Sequence, residues 1–275
     1  MKVIHISDLH FGHHDPAAAE GLALDIAGQK PDLIVASGDF TQVGSKEEFI
    51  QARAFLDTLE APVFAVPGNH DVPAVNILRR FLNPYGLYKR YIAQDMEPFL
   101  EMGGVAFVGM RTARRARLEW NWGHGTISRD QLEHLETRFA QASPDAIRVI
   151  VAHHPLLFPT EPMVQKTKRV KRADEALETF AGLGVRLVLS GHFHLSYVRK
   201  HEAKGTVGEG EPTGLRKSAV APILIAQASS TISTRLRGQA NAYNIISITP
   251  QRISITVREW LGEKWVTREK ESEPV

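Results

Sequence analysis

The chain has 275 residues, 43% hydrophobic and 23% charged, values that suit a globular fold with a sizeable core, and it holds no apolar run long enough to span a bilayer. Thirty-three Lys and Arg against 31 Asp and Glu leave a formal net charge of +2, too small for a general nucleic-acid binder. Cysteine is absent, which excludes disulfides, thiolate zinc sites and cysteine nucleophiles, so any metal must bind nitrogen and oxygen ligands.

The N-terminal run "KVIHIS" reads as a buried strand, and the polar "SDLH" that follows at once leaves no export signal. Within "SDLHFGHHD", residues 7–15, Asp15 precedes Pro16 and reads as the N-cap of a helix over "PAAAEGLALDIAGQ". "DLIVAS" predicts a second strand, and Ser45 with Glu48 forms a capping-box pattern opening a helix over "SKEEFIQARAFLDTLE". "PVFAVPG", "IRVIVA" and "VRLVLS" predict three more strands, with helices over "SRDQLEHLETRFAQA" from Ser128 and "ADEALETFAGL" from Ala173. These strands are apolar throughout, not alternating, as expected when both faces are covered.

Beyond residue 220, "APILIAQAS", "AYNIISITP" and "RISITVREW" alternate and predict antiparallel strands that complete a second sheet. The Gly-rich stretch at 202–218 reads as a surface loop. With no repeat and no clear linker, residues 1–275 are expected to form a single domain.

Each predicted βα strand is followed by residues of ligand type. Asp8 and His10 follow the first, Gly38 and Asp39 the second, and Asn69, His70 and Asp71 the third; His153 and His154 follow the fourth, and His192 and His194 the fifth. Sites in open α/β sheets form at the carboxyl ends of strands, so the five groups share one edge. Imidazole and oxygen ligands suit Mn, Fe or Zn, and their number exceeds what one ion needs. Two ions are therefore expected, with Asp39, set on a glycine turn, the natural carboxylate to bridge them.

The ordered set Asp8-x-His10, Gly38-Asp39, Gly68-Asn69-His70-Asp71, His153 and Gly191-His192-x-His194 resembles the calcineurin-like metallophosphoesterase superfamily, in its cyclic-nucleotide-phosphodiesterase-like branch. The resemblance runs from residue 1 to about 195. It implies a four-layer αββα sandwich of two mixed β-sheets flanked by helices, an α/β fold with two metal ions at the sheet edges. It further implies one ion on Asp8, His10, Asp39 and His194 and a second on Asp39, Asn69, His153 and His192, the metals being Mn, Fe or Zn.

A hydroxide shared by two such ions attacks phosphorus in line, and the leaving alkoxide gains from a proton donor. His70 stands where the resemblance puts that donor, and Asp71 is expected to orient it. The implied activity is hydrolysis of a small phosphodiester such as a cyclic nucleotide; the alternative is a phospholipase-C-like or glycerophosphodiester activity on lipid head groups. A nuclease would call for a larger basic surface, and a non-catalytic scaffold for missing ligands. No nucleic-acid polymer is expected as partner.

Other histidines divide by context. His5 lies inside the first strand and reads as a core histidine, His154 before Pro155 as a structural contact behind the ligands, and His134 as exposed on a helix. His14 and His124 are candidates for touching substrate at the pocket mouth, His13 a weaker one. Two basic clusters, Arg111, Arg114, Arg115 and Arg117, then Lys166, Lys168, Arg169, Lys171 and Arg172, read either as solvated loops or as contacts to an anionic ligand. The second cluster follows Leu156, Leu157 and Phe158 and includes Met163 nearby, offering a lid or a peripheral contact to anionic membrane. The expected location is the cytoplasm, and the strand-rich C-terminus offers an edge for homodimer pairing.

Overall fold

A computed structural model of the chain describes residues 1–114, 123–160, 168–202 and 221–274, with side chains up to 268. In chain order its first half runs β1 (Lys2–Ile6), α1 (Pro16–Gln29), β2 (Leu33–Ala36), α2 (Lys46–Leu56), β3 (Val63–Ala65), α3 (Ile77–Leu82), α4 (Gly86–Tyr91), β4 (Phe99–Met102) and β5 (Val105–Met110). There follow α5 (Arg129–Glu133), α6 (Leu135–Phe139), β6 (Ile147–Ala152), α7 (Ala173–Gly182), β7 (Val185–Ser190), β8 (Tyr197–His201) and β9 (Ile223–Gln227). The chain closes with β10 (Ala242–Thr249), β11 (Arg252–Trp260) and β12 (Trp265–Pro274).

Helix starts follow local chemistry. The Asp15 carboxylate accepts from the Ala17 and Ala18 amides at 2.9 and 3.2 Å, and Ser45 and Glu48 complete both halves of their capping box. The helix expected from Ser128 is instead two short ones, α5 and α6. His134 joins them with ψ of −7°, which flattens the turn, and its ring Nδ1 takes a second bond, 2.6 Å, on the Asp130 carbonyl that its own N–H already uses.

The strands form two mixed six-stranded sheets, ordered β12-β11-β10-β1-β2-β3 and β4-β5-β6-β7-β9-β8. One core lies between the sheets, where Val3, Val35 and Ile246 of the first meet Phe107, Val149 and Leu187 of the second. A second core packs α1 and α2 on the outer face of β1 and β2 through Leu22, Phe49, Ile4 and Ile34. The third packs α6 and α7 on β5 and β6 through Phe139, Phe180, Val108 and Ile150. Successive residues of β1, β2 and β6 therefore face different cores, which explains why these strands are apolar without alternation. The layers are α, β, β, α, as the resemblance implied.

The C-terminal strands depart from expectation. Only β9 enters the second sheet, whereas β10 pairs antiparallel with β1, with Ile4 opposite Ile245, and carries β11 and β12 onto the first. β1 had one free edge beside β2, and the apolar face of β10 and β11 covers the central core there through Ile246, Ile248, Ile253 and Ile255. No helix among the described residues is long and apolar enough to cross a membrane.

Candidate metal centre

The parallel strands β1, β2 and β3 of one sheet and β6 and β7 of the other run into the segments that carry the expected ligands. Five of these residues leave the ordinary backbone regions: Asp8, His10, Asp39, His192 and His194 have φ of 52°, 49°, 55°, 75° and 56°. Left-handed backbone at a non-glycine residue costs on the order of 1–3 kcal/mol and persists where the surroundings impose it, commonly at functional sites. The surroundings here are tight. A Cβ at Gly191 would collide with Ser7 Oγ and Asp8 Oδ2, so only glycine lets the two sheets approach at this point.

The side chains converge as donors without proton partners. His10 Nε2 lies 3.2 Å from His194 Nε2, and Asp8 Oδ1 lies 3.2 Å from His194 Nε2 and 3.7 Å from His10 Nε2. Asp39 Oδ2 is 3.2 Å from His153 Nε2 and 3.9 Å from His10 Nε2, so Asp39 stands between the two groups. Asp8 Oδ1, Asn69 Oδ1 and His153 Nε2 are buried and make no hydrogen bond. Buried polar atoms are almost always satisfied, and lone pairs converging in this way fit cations with nitrogen and oxygen ligands.

The opposite edges of these groups are fixed. His153 Nδ1 donates to the Ser37 carbonyl at 2.7 Å and His194 Nδ1 to the Arg235 carbonyl at 2.9 Å, which leaves each Nε2 for the centre. Asp8 Oδ2 accepts from Ser7 Oγ at 2.6 Å and from the His192 amide at 2.8 Å, while Asp39 Oδ1 accepts from the His70 amide at 2.7 Å. Burial by itself raises a carboxyl pKa, yet His194, His10 and His153 hold Asp8 well below the carboxylate range, and His153 and His70 do the same for Asp39. Burial lowers His10 to about 4, and for His192 burial together with His154 and His153 lowers the pKa well below its usual value. His153, where Asp39 outweighs burial, is raised to about 9.

His154 sits beside His153 and His192, close enough to count as a further ligand by distance. Both its nitrogens are engaged, Nδ1 with Thr112 Oγ1 at 2.7 Å and Nε2 with the Gly123 carbonyl at 2.9 Å, as suits a contact behind the ligands. His5 is fully buried and bonds Ser37 Oγ at 3.0 Å, a satisfied core histidine, and His134 is exposed.

Asp71 requires a correction. It does not orient the His70 ring: His70 Nδ1 donates to the Gln42 carbonyl at 2.6 Å. The Asp71 carboxylate instead accepts from the amides of Asp39, Gly68 and Thr41 at 3.0, 2.8 and 3.1 Å and from Thr41 Oγ1 at 3.2 Å. Burial and the nearby Asp39 push the Asp71 carboxyl up to about 7. Three amides from the turns after β2 and β3 face inward and need an acceptor, and Asp71 is the one they share.

The pocket-mouth candidates are less engaged with the centre. The His14 ring packs on Phe11 at 4.5 Å while its backbone pairs with Ser233, and His124 is half-buried. Of the basic clusters, Arg114 bonds the Thr126 carbonyl and Gln131, Arg169 grips Asp174 through two bonds, and Arg172 bonds the Ile127 carbonyl. Local structure thus uses them, and Arg115, Arg117, Met163 and Lys166 lie outside the described residues. Sequence reasoning passed over Gln42, Thr112 and Arg235, whose roles arise from chain crossings that no short motif displays, and Ser7, which bonds its neighbour Asp8.

Residues 1–196 match the profile of the family described as calcineurin-like phosphoesterase. A "Probable cyclic nucleotide phosphodiesterase" of Synechococcus sp. is 27% identical over 72% of this chain and 75% of its own length. The 3',5'-cyclic adenosine monophosphate phosphodiesterase CpdA of Haemophilus influenzae is 27% identical over 59% of this chain and 54% of its own. A purple acid phosphatase from yellow lupin shares the fold, with a TM-score of 0.64 at 12% identity over 99% of this chain and 53% of that one. With the ordered histidines and aspartates gathered where two mixed sheets meet, the chain belongs to the calcineurin-like phosphoesterase family.

Proposed function

We propose that the chain is a dinuclear metal-dependent phosphodiesterase that hydrolyses a small phosphate diester, cyclic nucleotides being the first class to test. The carrying observation is the pair of donor groups that share Asp39: Asp8, His10 and His194 on one side and His153 on the other, with Asp39 Oδ2 within 3.2 Å of His153 Nε2 and 3.9 Å of His10 Nε2. In this reading Asn69 and His192 complete the second group, and residues 1–275 act as one catalytic unit. When bound, the two cations lower the pKa of water and neutralise charge on the phosphoryl oxygens.

The chain's own contribution is positioning and proton transfer. His70 Nδ1 donates to the Gln42 carbonyl at 2.6 Å, which fixes the ring and leaves Nε2 as the position that carries the second proton of the imidazolium, and a ring nitrogen of His70 lies within 4.8 Å of ligand atoms of His10 and Asp39. From there it protonates the departing alkoxide. The edge-on contact with the His10 ring, centroids 4.8 Å apart, limits its rotation.

The test is a parallel hydrolysis screen of cyclic AMP, glycerophosphocholine, phosphatidylcholine and an aryl diester with Mn-loaded protein. Turnover of the diesters that Asp39→Ala abolishes supports the reading, and a fastest rate on glycerophosphocholine or phosphatidylcholine assigns the lipid head-group class. His70→Ala should slow the natural diester more than the aryl ester by about 100-fold, the scale of general acid catalysis. Equal losses on both would remove the proton-donor role, and a protein that neither holds a transition metal nor cleaves any of the four would be an adaptor.

A further inference from the structure

The segment "STRLRG", residues 233–238, between β9 and β10, carries two arginines and is tied to the metal centre through Arg235. It is tied there at several points. The Arg235 carbonyl accepts from His194 Nδ1 at 2.9 Å, its amide donates to Ser233 Oγ at 3.1 Å, and the Thr234 amide donates to the His13 carbonyl at 2.9 Å. The Arg235 guanidinium reaches Gln42 Oε1 at 3.3 Å, and the carbonyl of that same Gln42 holds the His70 ring. Arg235 thus bonds a metal-ligand candidate directly on one side and stands one residue from the proton donor on the other.

Arg237 is half-buried and makes no hydrogen bond or ion pair among the described residues. Burial lowers its pKa, while the acids whose field reaches it are Asp8 and Asp39, with Arg235 opposing. Those two carboxylates belong to the metal centre, so they do not neutralise it. A half-buried guanidinium with no acid paired to it has donors to offer an anionic ligand.

Charge bookkeeping then points to the ligand. Two divalent cations, if held by Asp8 and Asp39, would leave the centre with a small positive charge, which a diester's single negative charge would offset. Two guanidinium charges beside it stay unmatched. Their planar donor forks suit phosphoryl oxygens, which accept two parallel N–H bonds from each arginine.

We propose that Arg235 and Arg237 form an anion subsite that binds a second phosphoryl group of the substrate, so that the preferred diester carries a further phosphate next to the bond that is cleaved. The inference rests on the two-metal phosphodiesterase reading. It narrows the substrate class within that reading.

The test compares the p-nitrophenyl ester of thymidine 5′-phosphate with the same ester bearing a 3′-phosphate, which share leaving group and scissile bond. Wild-type Mn-loaded protein should favour the second by about tenfold or more in kcat/KM, and R237Q and R235Q/R237Q should bring that ratio to within about twofold of unity, a change of roughly 1.4 kcal/mol. R237K, which keeps the charge without the fork, should retain part of the preference and covers the case in which R237Q misfolds. Absence of preference in wild type, or equal losses on both esters, overturns the subsite and leaves the phosphodiesterase reading in place. Calorimetric titration of thymidine 3′,5′-bisphosphate against thymidine 5′-phosphate separates the two ideas. If neither ester is cleaved yet the bisphosphate binds about tenfold more weakly to R237Q, the subsite stands and the phosphodiesterase reading fails; binding unchanged by R237Q overturns the subsite.

Discussion

The Asp71 carboxylate accepts four hydrogen bonds, three from backbone amides of the turns that carry Asp39 and Asn69, and it is 1% exposed. Removing it leaves buried donors that water cannot easily reach, at about 1–3 kcal/mol each. Asp71→Ala should therefore lower folding stability by roughly 3 kcal/mol or more, read as a lower urea midpoint, and should weaken metal binding because the Asp39 amide loses its anchor. His70→Ala is expected to leave the urea midpoint nearly unchanged, since the half-buried ring is anchored by a single side-chain bond, to Gln42. An Asp71→Ala protein of normal stability that reproduced the leaving-group dependence of His70→Ala would restore the orienting role that the sequence suggested. The same comparison explains what was legible. Asp8, His10 and Asp39 announce themselves because strand and ligand are adjacent in the chain, whereas Asp71 lies beside His70 in sequence and still bonds elsewhere.

Elements differ in the same way. Starts of α1 and α2 were readable from Asp15, Ser45 and Glu48, because a cap acts within one turn. The choice of β1 as partner for β10 was not, since the paired residues Ile4 and Ile245 are remote in the chain and alternation does not name a partner. One interaction locks that pairing from outside. Asp25 of α1 receives Arg258 Nη2 at 2.5 Å and Nε at 3.1 Å from β11, and the Tyr243 hydroxyl from β10, with its side chain only 18% exposed. Asp25→Ala strands a mostly buried guanidinium and a phenol, so about 2–4 kcal/mol of stability should be lost. Arg53 and Asp57 on α2 also pair at 2.5 Å, but at 39% and 64% exposure, and Asp57→Ala should cost under about 0.5 kcal/mol. Denaturant midpoints of the two variants, measured side by side, check the contrast; equal shifts would show that Asp25 does not anchor the C-terminal strands.

At the scale of the molecule, the donor set belongs to neither sheet alone. Asp8, His10, Asp39 and Asn69 follow strands of the first sheet, and His153, His192 and His194 follow strands of the second. Two hydrogen bonds already cross between them, His153 Nδ1 to the Ser37 carbonyl and the His192 amide to Asp8 Oδ2. The same geometry crowds Asp8 and Asp39 against imidazoles, with His10 Nε2 and His194 Nε2 3.2 Å apart, and five residues hold left-handed backbone around them. Cations that bind only this folded arrangement stabilise it by mass action, about 2.7 kcal/mol when free metal stands at 100 times Kd. For a chain of this size that corresponds to a rise in Tm of roughly 5–10 °C. Chelation should reverse the rise, and Asp39→Ala should abolish most of it, because that carboxylate stands between both donor groups. His14→Ala, whose ring packs on Phe11, serves as the control and should keep the metal-dependent rise. A thermal scan with and without Mn or Zn decides the matter: a Tm indifferent to metal, or a shift that survives Asp39→Ala intact, would mean that the centre joining the sheets is not where the cations bind.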